Sequence, residues 1–198
     1  MSQMEIYADV VSADWPHADD EGALIARART DRDAFSTLYR RHYRSLMDHV
    51  YRRTGDVHAT EDIVADVFLT ALRMLPRYRY RGVPVRFWLL RIATNGVNHW
   101  ARRRRRSPTC PLGSYEPLDL ETPPDQNASA ELQRARKALL SLPPKYQTVL
   151  ALRYFESLSV AEIATVIGCR VGTVKSRLAR AREALRVQLT PLPENDHA

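Results

Sequence analysis

Five consecutive arginines, Arg102, Arg103, Arg104, Arg105 and Arg106, close a stretch that also holds Trp88, Asn95, Asn98, His99 and Trp100. Guanidinium forks match phosphate geometry, amides can hydrogen-bond base edges, and aromatic rings stack on unpaired bases at ~1–3 kcal/mol each. Together these groups suit capture of a single nucleic-acid strand. Each also has a plainer reading: Trp88 as core packing, Asn95 as a buried cap, His99 as a surface histidine, the arginines as a solvated run. No metal-ligand spacing surrounds His99.

A second constellation lies near the other end. Residues 160–178 read VAEIATVIGCRVGTVKSRL, with Ala164, then Gly168, then Val174. The alanine lets two helices cross closely, the glycine supplies a turn with φ > 0, and Ile163, Ile167, Val174 and Leu178 make a shared apolar core. That spacing predicts a helix-turn-helix whose second helix enters a DNA major groove. Its outward residues are Thr173, Lys175, Ser176, Arg177 and Arg180. Arginine and lysine reach guanine edges, and serine and threonine reach a phosphate or a base. The alternative is an ordinary helical hairpin with a solvated basic face.

The charge distribution agrees with two nucleic-acid contacts. The 198 residues carry 30 Lys and Arg against 23 Asp and Glu, a net charge of +7. All but Lys137, Lys145 and Lys175 of those bases are arginine, which a GC-rich genome would also produce. Residues 77–106 hold ten bases and no acid, whereas residues 1–21 hold six acids and no base. Two basic blocks flank a spacer containing Glu116, Asp119, Glu121 and Asp125, as expected of a polyanion held at two places. The acidic start excludes a signal peptide, and no apolar run approaches the ~20 residues of a membrane span. Cys110 and Cys169 make no disulfide framework and read as free thiols of a cytoplasmic protein.

Helices must position these groups. In the first half, apolar residues at three- and four-residue spacing predict helices over 20–28, 33–53, 60–75 and 85–105. Gly55 and Pro76 act as stops and Thr60 as an N-cap. In the second half the helices are 128–141, 144–155, 160–167 and 172–188, with Ser159 and Glu162 spaced as a capping box. No segment alternates like a strand. The expected fold is all-α: an acidic extension over 1–19, a four-helix domain over 20–106, an extended acidic proline-rich linker over 107–127, a helix-turn-helix domain over 128–190 and a tail over 191–198.

These stretches resemble bacterial RNA polymerase sigma factors of the extracytoplasmic-function type, in the sigma-70 family. DAFSTLYRRHY (33–43) is similar to the start of region 2, EDIVADVFLTAL (61–72) to the core-polymerase-binding helix, and WLLRIATN (88–95) with the arginine run to the promoter-melting helix. Residues 142–185 resemble region 4 throughout. The resemblance implies a non-enzymatic initiation subunit with no cofactor and no membrane insertion. Its partners would be core RNA polymerase, promoter DNA in double- and single-stranded form, and an anti-sigma factor. It implies core binding through Asp62, Asp66 and Phe68, −10 strand binding through Trp88, Asn95, Asn98, His99 and Arg102–Arg106, and −35 reading through Thr173, Lys175, Ser176, Arg177 and Arg180. Ala65, Leu72, Thr94, Gly96 and His99 depart from the family's usual residues, which leaves the −10 sequence open. A helix-turn-helix regulator acting without polymerase is the alternative. A recombinase-like enzyme would need a positioned nucleophile, and Ser36 and Ser45 have no catalytic constellation around them.

Overall fold

The computed structural model describes residues 18–106 and 126–190, the side chains at 18–20, 105–106 and 126–129 excepted. The acidic extension, most of the linker with Cys110, and the tail lie outside the described residues. Among the described residues there is no strand. The helices are α1 (Ala18–Ala28), α2 (Arg32–Thr54), α3 (Val57–Met74), α4 (Val85–Arg106), α5 (Gln126–Ser141), α6 (Pro144–Leu150), α7 (Val160–Ile167) and α8 (Val171–Leu189). A 3-10 turn, Leu75–Arg77, follows α3, and a π turn, Ala151–Phe155, prolongs α6.

Side-chain caps set the helix starts. The Asp31 carboxylate accepts from the Asp33 N–H at 2.8 Å at the head of α2, and this bond holds its pKa below the usual carboxylate value. Gly55, at φ 70°, ends α2 and bonds back to the Tyr51 carbonyl at 2.8 Å. The expected cap of α3 is displaced. Asp56, directly after that glycine, accepts from the Ala59 N–H at 3.0 Å, so α3 starts at Val57 and Thr60 lies inside the helix. Buried there, Thr60 bonds the Thr54 hydroxyl at 2.8 Å and the Asp56 carbonyl at 2.7 Å, tying the α2–α3 corner together.

Among the described residues the buried apolar side chains form two clusters. The smaller joins Leu24, Ile25 and Ala28 of α1 to Ala34, Leu38, Leu75 and Val85. There Glu21 accepts from the Val85 N–H at 3.0 Å, an acid placed at the positive end of α4. The larger cluster does not stop at the domain boundary. It runs from Val50, Val64, Val67 and Leu89 to Val149, Leu152, Ile163 and Val174. The helix-turn-helix domain packs on the first domain, α7 against α4, α5 and the π turn against α2. Gly96 serves this packing indirectly: a Cβ there would approach Ile63 Cγ2 to 3.1 Å, so the glycine lets α4 lie close to α3.

His42 sits in the first domain at 2 % exposure. Burial, then the charges of Arg41 and Arg86, pushes its pKa down to about 4. The unfolded chain takes up this proton near pH 6.5 and the native state only near 4, so stability falls as pH drops through that window. Between pH 7 and 5 the wild type is expected to lose about 2 kcal/mol that a His42→Gln variant retains. Urea midpoints at the two pH values check this, and parallel losses in both proteins would refute it.

Candidate nucleic-acid interface

α4 presents its chemistry by helical periodicity. Asn95, His99, Arg102 and Arg103 are exposed, and their spacing sets them along one face of α4. Arg102 and Arg103 meet no acid among the described residues. Arg104 differs: its Nη1 lies 3.6 Å from Asp56 Oδ2, and its guanidinium sits over the Trp100 ring at 5.3 Å. Trp88 stacks on Tyr78 with centroids 4.2 Å apart and interplanar angle 27°. That ring is only partly buried, so the stack fixes its orientation at the edge of the smaller cluster. Asn98 lies at the edge of the α4 face, turned toward the second domain. Its Oδ1 accepts from Arg53 Nη2 at 2.8 Å and from the Thr148 hydroxyl at 3.4 Å, across the domain boundary.

The helix-turn-helix forms as its spacing predicts. Ser159 and Glu162 close a full capping box on α7, at 2.7 and 3.2 Å. Burial pushes the Glu162 carboxyl up, but its bonds to Ser159 and the Arg86 charge outweigh burial and leave its pKa lowered. Gly168, at φ 66°, makes the turn, and a Cβ there would run into the Arg91 guanidinium of α4. Ile163, Ala164, Val166, Val174, Leu178 and Ala181 are buried, while Ile167 is only half-buried. Lys175, Ser176 and Arg180 are exposed on α8, and Thr173 and Arg177 are half-buried at its start. Lys175, Arg177 and Arg180 have no acidic partner among the described residues. Arg186, by contrast, is held bidentately by Glu183 at 2.8 and 3.1 Å.

A third surface lies on α3. Asp62 and Asp66 are exposed, four residues apart. Phe68 is 4 % exposed, and its ring packs against Tyr39 at 4.4 Å, so it acts on the surface only through that tyrosine. Sequence reasoning missed the apolar half of this patch. Leu69 and Leu72 are 54 % and 47 % exposed, and Tyr43 stacks on Tyr39 at 5.1 Å. The signal was available: Leu69 follows Asp62 by seven residues and Asp66 by three, which places all three on one helix face.

Such an arrangement defines a class: a two-domain helical protein with one exposed basic helix in a helix-turn-helix and a second basic, amide-bearing helix in the other domain. Comparisons with known proteins narrow it. Residues 38–107 match the family model "Sigma-70 region 2", and residues 132–185 match "Sigma-70, region 4". RNA polymerase sigma-H factor of Pseudomonas aeruginosa is 34 % identical over 88 % of this chain and 96 % of its own. ECF RNA polymerase sigma factor SigW of Bacillus subtilis is 34 % identical over 82 % of this chain and 92 % of its own. The solved structure of CnrH in complex with the cytosolic domain of CnrY matches with TM-score 0.63 and 26 % identity, over 87 % of this chain and 97 % of that one. The chain belongs to the extracytoplasmic-function sigma factors of RNA polymerase, within the sigma-70 family.

Proposed function

We propose that this sigma factor divides promoter-specific initiation among the three surfaces described. The α3 face, with Asp62, Asp66, Leu69 and Leu72, docks on core RNA polymerase. The α4 face, with Asn95, His99, Arg102 and Arg103, takes the −10 strand as it leaves the duplex, with Trp88 oriented by Tyr78 beside it. The α8 face, with Arg177, Lys175 and Arg180, reads the −35 element. The protein acts in the cytoplasm and performs no catalysis itself. CnrH was solved with the cytosolic domain of CnrY, and an anti-sigma partner is proposed here on that likeness. The observation that carries the reading is that two unpaired basic faces stand on two separate domains, in the order of regions 2 and 4.

Run-off transcription with core polymerase and genomic fragments tests the whole reading. Transcripts that start only when the protein is present support it. DNA binding that is unaffected by core polymerase would favour a regulator acting alone. For the −35 contact, Arg177→Ala is expected to cost about 1–3 kcal/mol and relax specificity at one base pair. Lys175→Ala should weaken binding to every sequence alike and flatten the salt dependence. Equal losses on promoter and random duplexes for Arg177→Ala would remove its reading role.

A further inference from the structure

Trp88 lies in the first turn of α4, where a helix frays unless its leading N–H groups find partners. The residue before that turn is Pro84, whose side chain has no oxygen with which to cap it. The cap comes from another element. Glu21 of α1, 64 residues earlier in the chain, accepts from the Val85 N–H at 3.0 Å. A carboxylate at this end of a helix also meets the positive pole of its dipole. The turn that carries Trp88 is therefore wound partly by a side chain from outside the helix.

The same region of the chain holds the other end of the loop before α4. Arg29, directly after α1, donates from Nη2 to the Tyr78 carbonyl. The Tyr78 ring in turn stacks on Trp88, with centroids 4.2 Å apart. Between these points the Tyr80 ring lies on Gly22 of α1, where a Cβ would come within 3.1 Å of it. Leu24, Ile25 and Ala28 pack beneath against Leu75 and Val85, and Tyr78, Tyr80 and Trp88 rest at the edge of that cluster. Burial first, then the neighbouring Glu21 and Tyr80, hold the Tyr78 phenol above its usual pKa, so the two ends of the loop adjoin one another. Residues 78–84 form no helix, and the ties to α1 and Arg29 hold this segment at a carbonyl, a ring and the N–H that follows it.

We propose that α1 is a bracket presenting Trp88 to the −10 strand, and that Glu21 and Arg29 are its positioning residues. The inference rests on the promoter-binding reading above. Neither side chain needs to touch DNA. Glu21 keeps the first turn of α4 wound, and Arg29 keeps Tyr78 against Trp88. An arriving base then meets the indole already in its bound orientation, so little ordering is left for the binding step. With the ties cut, Trp88 samples other orientations and only a fraction of molecules is competent. The apparent dissociation constant rises by the inverse of that fraction.

The test joins a spectroscopic and a binding measurement on the full chain. Labelling with 5-fluorotryptophan gives a fluorine resonance for each of the three tryptophans, and Trp88→Phe assigns the one in question. The wild type is expected to show a single Trp88 resonance shifted by the Tyr78 ring. Glu21→Ala combined with Arg29→Ala should move most of that signal to the position it takes in the unfolded chain. Holoenzyme assembled with this double variant should bind a pre-melted bubble promoter about tenfold more weakly, in step with the ordered fraction in the spectrum. Glu21→Gln and Arg29→Lys, which keep an acceptor and a donor in place, should restore both readouts. In a Trp88→Ala background the double substitution should cost no further affinity, the mark of a role exercised through that ring. Assembly with core polymerase and binding of a −35-only duplex should stay at the wild-type level. The single substitutions, which each leave the other ties intact, carry the same comparison if the double variant unfolds. An unchanged Trp88 resonance in the alanine variants would overturn the bracket, as would a loss of bubble affinity that persists without Trp88. Wild-type holoenzyme that fails to bind the bubble promoter would instead overturn the promoter reading, and the fluorine spectra would still judge whether α1 orients Trp88.

Discussion

Replacing Asp62 and Asp66 with lysine is expected to abolish assembly with core polymerase while leaving helix content unchanged. Both carboxylates are exposed, so neither supports the fold, and lysine is a good helix former. Across an interface with basic polymerase residues, each reversal turns an attraction into a like-charge contact, and such contacts cost several kcal/mol. Two together exceed what a transient interface can absorb. Leu69→Ala should act in the same direction with less force, since it removes apolar contact without adding repulsion. Gel filtration with core enzyme and circular dichroism check both points. A double reversal that still co-elutes with core polymerase would move the docking site away from α3.

The second large effect concerns α4. Alanine at Arg102 through Arg106 is expected to impair binding to a pre-melted bubble promoter severely, because single-strand binding loses about 0.7 in salt slope per phosphate contact removed. Up to five contacts give a slope change of up to about 3.5. Arg104 complicates the count, since it also pairs with Asp56 at 3.6 Å. Asn95→Ala should do something different: lose discrimination among −10 sequences yet keep most bubble affinity and a near-native melting temperature. Asn95 is exposed, which removes the reading of it as a buried cap within this arrangement. A melting temperature lowered by many degrees with sequence preference intact would make the residue structural.

Much of this architecture could be read from local signals. Gly55, Gly168, Ser159 and Glu162 each act within a few residues of chain, so residue type and spacing suffice to place them. The start of α3 shows how such reasoning errs. Thr60 has the right chemistry for a cap, but Asp56 follows the terminating glycine at once and takes the position first. The face of α4 was legible as far as Asn95, His99 and Arg102, which share a helical repeat. Asn98 was placed with them, but its bonds to Arg53 and Thr148 were not legible, because those partners lie 45 and 50 residues away in sequence. Arg53 itself reads as one more surface base after Tyr51 and Arg52. Only the packing of α2 against the second domain makes it a buried charge. The exposed Leu69 and Leu72 were hidden for the opposite reason, since apolar residues on an amphipathic helix are assigned to the core by default.

The π turn after α6 carries a consequence for how this chain tolerates changes of length. Its widened loop is closed by the Glu156 N–H bonding the Ala151 carbonyl at 3.3 Å, five residues back, which is one residue more than a regular helix contains. Glu156 meets His49 only because that extra residue turns the end of the helix. Loss of one codon there would let the turn relax to regular helix with Glu156 near its present bearing, whereas rewinding the same residues as regular helix would swing Glu156 away by roughly 90°. The contact between the two halves of this protein is written partly in the winding of this turn, which can take up or give back one residue and still aim Glu156 at His49.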